Sequence, residues 1–149
     1  MREAMLVSSS IKGASGHVAR VEFILRNSIP MMPSSSLSAY YEESGRLAAV
    51  AVDARSGPQV VLDGLRLVSR VPSELEMQFS EYVESRGLDL LYSEYWDLSS
   101  ESLGIVLRAQ RVDDVVLSRP IFVCEDWAER CGDSSEGRIP QTEWQRQSR

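Results

Sequence analysis

The chain holds one lysine, Lys12, among sixteen basic residues, one histidine, His17, and two cysteines. Each scarcity removes chemistry. A structural zinc site takes four Cys or His ligands, and a catalytic one usually draws three from His, Cys and carboxylate. One His and two Cys cannot build the structural kind within one chain. Schiff-base catalysis and the phosphate-binding loop G-x-x-x-x-G-K-[ST] both need a placed lysine. Lys12 stands in Ser10-Ile11-Lys12-Gly13 without the upstream glycines of that loop. No G-x-G-x-x-G occurs, so a dinucleotide fingerprint is missing. The preference for Arg over Lys reads as genome composition rather than as a binding strategy.

Cys124 and Cys131, if joined by a helix, lie about 10 Å apart along its axis, beyond disulfide reach. No apolar run nears the roughly 18 residues of a membrane-spanning helix; stretches such as Leu47–Val52 are typical. The first residues, Met1 to Val7, carry no apolar region of signal-peptide length. These features predict reduced thiols, a cytoplasmic location, no membrane and no cofactor.

What is present is an ordinary globular composition, 43% apolar and 26% charged over 149 residues. That length suits one core. Twenty-two acids against sixteen Lys and Arg leave a net charge of −6. The arginines are spread along the chain, densest at Arg108, Arg111 and Arg119, which with a pI near 4.9 makes a poor nucleic-acid footprint.

Periodicity orders the rest. Residues 17–26 read as a strand. Residues 27–46, with Pro30, Pro33 and three serines at 34–36, read as a long mobile loop. Leu47–Val52 is a buried strand. Asp63-Gly64 between β-rich runs predicts a hairpin in an antiparallel meander, because a type I′ turn needs positive φ at both central positions. Ser73 and Glu76 match a capping box, and Leu75, Phe79, Tyr82 and Val83 form one apolar stripe, with Gly87 and Leu88 as the stop. A helix over 73–86 follows. Residues 88–97 read as a strand, 98–102 as a turn, and 105–117 as a hairpin around Asp113-Asp114. A helix through 99–110 competes, opposed by Gly104 and β-branched residues. Pro120 is expected at an edge or bulge. Cys124–Cys131 reads as a short helix and 133–149 as a polar, disordered tail. The expected fold is α+β: a single domain over 1–132, an antiparallel sheet of about five to seven strands, one main helix on one face, and the short C-terminal helix.

No catalytic constellation emerges. Ser15 and His17, two apart on a strand, are not placed for nucleophile activation, and Gly-x-Ser-x-Gly is absent. Glu94, Asp97 and Asp113 supply carboxylates for a metal-dependent hydrolase, the alternative enzymatic reading. Asp113-Asp114 and Glu125-Asp126 are more simply turn and helix-start residues. The most suggestive stretch is Tyr92-Ser93-Glu94-Tyr95-Trp96-Asp97. On a strand its aromatics occupy both faces, and Tyr and Trp amid acids suit a buried contact with a cationic partner. The expectation is a small acidic protein-binding module of the immunity or inhibitor type. It would capture a basic protein through Tyr92, Glu94, Tyr95, Trp96 and Asp97, with Glu81 and Glu84 of the helix adding charge. A structural or self-assembling domain is the remaining alternative, and no oligomeric state is specified.

Overall fold

A computed structural model describes residues 7–12, 18–24, 36–41, 44–92, 96–124, 143 and 147–148. In chain order its elements are β1 (Val7–Lys12), β2 (Val18–Ile24), β3 (Leu37–Tyr41), β4 (Leu47–Val52), β5 (Val61–Leu62), β6 (Leu65–Arg66), α1 (Pro72–Ser85), β7 (Leu91–Tyr92), β8 (Leu98–Ser100), β9 (Ile105–Val112), β10 (Val115–Val123) and β11 (Gln147–Ser148). The architecture is α+β. The strands of five or more residues run β1-β2-β3-β4-β10-β9, every neighbour antiparallel, and short β8 and β7 continue the sheet. Two meanders, β1–β4 and β7–β10, thus meet along a seam pairing Ala49–Ala51 with Ile121–Val123.

The two faces differ in chemistry. On one, Leu75, Phe79 and Val83 of α1 pack with Leu67, Leu98, Ile105 and Leu107, all buried, and with Tyr82 and Leu88 at the margin. Fully burying each such side chain contributes about 1.5–3 kcal/mol, so this stripe explains why the helix sits where it does. On the other face Tyr40, Ala49, Ala51, Val106, Ile121 and Val123 form a second cluster.

The Asp63-Gly64 turn has φ of 45° and 88°, the double left-handed geometry expected, and it closes β5 on β6. That hairpin is a two-stranded sheet of its own rather than part of the main meander. The helix ends as its residues predict: Gly87 takes φ 63°, its N–H donates to the Glu84 carbonyl at 3.0 Å, and Leu88 N–H donates to the Val83 carbonyl at 3.0 Å. This is a Schellman ending.

Other expectations are corrected. The capping box does not form: Val71 is the N-cap, Pro72 takes the first helical position, and no side chain caps the start. Pro is preorganised for that position, so the helix begins one residue early and Ser73 falls inside the first turn. Within the segment expected as a loop over 27–46, Leu37–Tyr41 is a strand with Ala39 and Tyr40 buried. Among the described residues of the stretch 88–97, Leu91–Tyr92 alone are strand, and Leu98–Ser100, expected as a turn, is a buried one. The hairpin expected around Asp113-Asp114 is present, with 105–112 as strand, and the competing helix through 99–110 does not form.

Pro120 lies inside the sheet, opposite Leu107. On the other side of β10, Ser118 exchanges backbone hydrogen bonds with Ser69 and Arg70 at 2.9 and 2.8 Å, and the β4 ladder starts only at Ile121. Pro120 shares the backbone orientation of Ser118, so its missing N–H faces the gap between those two partners. The 133–149 segment is placed at three points: Glu143 is buried, and Gln147–Ser148 pairs in parallel with Arg111–Val112. The expected short helix falls largely on 125–131, outside the described residues.

Asp89 fastens the turn after β8. Its carboxylate accepts Ser102 N–H at 2.9 Å, Glu101 N–H at 2.6 Å and the Ser100 hydroxyl at 3.4 Å. Partial desolvation pulls its pKa upward, yet the hydrogen bonds from Ser102 and Glu101 together outweigh it and lower the carboxyl from 3.8 to about 2. A folded pKa below the unfolded one contributes stability that is present above pH 3.8 and fades as pH falls toward 2. Asp89→Asn is expected to flatten the acid limb of the melting temperature over that window. An unchanged acid limb in a pH series of thermal melts contradicts this.

Candidate functional site

The exposed aromatic pair comes from a local conflict between backbone and side chain. β7 ends at Tyr92, and Asp97, just before β8, is tied to Arg108 of β9 by an ion pair whose side chains are only 13% and 10% exposed. Trp96, immediately before that anchor, adopts φ 63°. A bulky residue rarely enters the left-handed region, at a cost of order 1–3 kcal/mol. The result is a tryptophan 80% exposed beside Tyr92 at 59%. Their ring centroids are 6.2 Å apart with planes at 61°, an edge-to-face contact. The pair is therefore preassembled outside the core.

Of the other residues expected there, Glu81 and Glu84 are exposed on α1, while Glu94 and Tyr95 lie outside the described residues. Asp97 is not a free surface acid, because Arg108 takes its carboxylate. At the same end of α1, Tyr82 donates its hydroxyl to Asp63 at 2.9 Å, Arg86 reaches the same carboxylate oxygen at 3.1 Å, and the guanidinium carbon lies 3.8 Å from the Tyr82 ring centroid. The hydrogen bond to Asp63, then desolvation, raises the Tyr82 hydroxyl above its usual range, and Arg86 opposes the shift. This clasp holds the β5–β6 turn against the helix.

The carboxylates of the hydrolase alternative are dispersed. Asp97 pairs with Arg108, whereas Asp113, in the β9–β10 turn, pairs with Arg55. Among the described residues no three His, Cys, Asp or Glu are placed to hold a metal ion. Ser15, His17, Glu125, Asp126 and Cys131 lie outside the described residues. No described helix is long and apolar enough to cross a membrane.

Polar groups accumulate instead on the sheet face opposite α1. Asp53 is fully buried and accepts hydrogen bonds from Arg55 N–H, Ser56 N–H and the Ser56 hydroxyl at 2.9, 2.9 and 3.0 Å, and from Gln110 Nε2 at 3.0 Å. Gln110 returns its carbonyl to Ala54 N–H at 2.9 Å. Further along, Arg119 is fully buried and paired with Glu143 at 2.5 Å. The three arginines that look like one dense set in the sequence thus serve separate partners, since Arg111 donates to the Asp113 carbonyl at 3.2 Å. Arg119 was the residue to find. It alternates in phase with Ile121 and Val123 on β10, which marks an inward-facing charge.

The described residues define an α+β chain with a surface aromatic pair at Tyr92 and Trp96 and a buried ionic cluster at Arg119 and Glu143. No protein-family model matches the sequence, and no curated protein or solved structure shows significant similarity to it.

Proposed function

We propose that the chain is a protein-binding module of the immunity or inhibitor type, which captures a basic protein partner at the Tyr92–Trp96 pair. The observation that carries the reading is Trp96 held 80% exposed by a left-handed backbone against Tyr92. Tyr and Trp bring large contact area with few rotors, and they dominate binding hot spots. A pair already packed edge to face loses little side-chain entropy on docking. The net charge of −6 and the exposed acids Glu74, Glu81 and Glu84 favour a cationic partner and speed its encounter.

The test is capture from native lysate followed by titration of the recovered partner. The expected partner is basic, its association slows with added salt, and Trp96→Ala weakens it by about 2 kcal/mol, roughly thirtyfold. The melting temperature of Trp96→Ala is expected to hold or rise, because the substitution removes no core contact. Binding indifferent to both salt and Trp96→Ala removes the reading.

A further inference from the structure

Arg119 heads the fully buried side chains by size. A guanidinium keeps its charge at every physiological pH, so its burial depends on an anion brought to it. Glu143 supplies that anion with three oxygens. Arg119 Nη1 donates to Oε1 at 2.5 Å, Tyr40 Oη donates to Oε2, and Arg119 Nη2 donates to the main-chain carbonyl of Glu143. Between Tyr40 on β3 and Arg119 on β10, strand β4 presents only the methyl groups of Ala49 and Ala51 in the same cluster. Grasping both the carboxylate and the main-chain carbonyl of one residue is the geometry of reading a peptide.

Gln147–Ser148 in turn adds to the sheet. Gln147–Ser148 lies parallel to Arg111–Val112, whereas every other described strand pairing is antiparallel. β10 occupies one edge of β9 along its length, and β8 covers the other edge only at Ile105 and Val106. β11 meets that edge at Arg111 and Val112. Strand addition for the main chain, with a closed pocket for one side chain, is a recurrent way for a sheet to bind a peptide.

We infer that Arg119, Tyr40 and the outer edge of β9 form a receptor site for a peptide bearing one glutamate. The chain's own Glu143 and Gln147–Ser148 are its resident ligand, exchangeable for the same residues supplied in trans. The motif read is a glutamate with a strand-forming pair beginning four residues later. None of these residues belongs to the Tyr92–Trp96 pair, so the two readings stand or fall separately.

The probe is a fluorescein-labelled synthetic peptide spanning residues 141–149, titrated by anisotropy into the full chain. In the unaltered chain the resident segment competes at an effective concentration in the millimolar range, so the peptide binds weakly. Full-length Glu143→Gln lacks the resident anion and is expected to bind the peptide at least about tenfold more tightly. A peptide with Gln in place of its glutamate is expected to show no such gain. A folded Glu143→Gln chain that binds no more tightly than the unaltered one, or that binds both peptides alike, overturns the inference. Hydrogen exchange on the unaltered chain decides the matter if the variant fails to fold. Amides of 143–148 are expected to open before those of β10, and exchange of both only in global unfolding also overturns it.

Discussion

Phe79→Ala is expected to lower unfolding stability by about 3–5 kcal/mol, which the midpoint of a urea melt measures directly. Phe79 is fully buried in the middle of the α1 stripe, between Leu75 and Val83. It lies in the cluster that joins the helix to Leu98, Ile105 and Leu107 of the second meander and to Leu67 before the helix. Truncation removes the transfer contribution of the ring and leaves a cavity that the surrounding strands cannot collapse around, because they are held by their ladders. Phe79→Leu is expected to retain more than half of the lost stability, since most of the volume stays filled. Equal losses for Ala and Leu contradict a packing origin.

Asp53→Ala is expected to cost a similar amount, about 3–5 kcal/mol, for a different reason. Its carboxylate serves two backbone N–H groups, the Ser56 hydroxyl and the Gln110 side-chain amide. Removing it takes the acceptor from the buried Gln110 amide and from the part-buried Arg55 and Ser56 donors, and a buried group orphaned in this way carries a desolvation penalty of about 1–3 kcal/mol. Asp53→Asn keeps one acceptor oxygen and is expected to lose less. Adding Gln110→Ala to Asp53→Ala is expected to cost less than the sum of the two single changes, because the amide left wanting is then absent. Strict additivity in that double-mutant cycle counts against the shared network.

The legible parts of the fold were those with local causes. The α1 stripe follows from a period near 3.6, the Asp63-Gly64 hairpin from a demand for positive φ, and the helix stop from Gly87 followed by an apolar residue. The helix start was misread because Pro72 and Ser73 compete for adjacent roles, and proline's fixed φ prevailed. β3 was hidden because the inward positions Ser36, Ser38 and Tyr40 look polar in sequence, although all three are buried. The aromatic pair was legible in composition but not in form. A strand over 88–97 places Tyr92 and Trp96 on one face, whereas Trp96 takes a left-handed backbone and leaves its ring exposed. Asp97 and Arg119 were beyond local reading, since their roles depend on Arg108 and Glu143, 11 and 24 residues away.

The seam between the meanders bears on how the molecule folds. Within each meander a strand pairs with its neighbour in sequence, whereas Ala51 meets Ile121 across about seventy residues of chain. Closing so long a loop costs entropy before the seam's few ladder bonds and the Ala-rich cluster beneath it repay any of it. The two hairpin systems are therefore expected to form before the seam that joins them closes. A substitution at Ala49–Ala51 is then expected to slow refolding more than its small side chain suggests, which stopped-flow refolding measures.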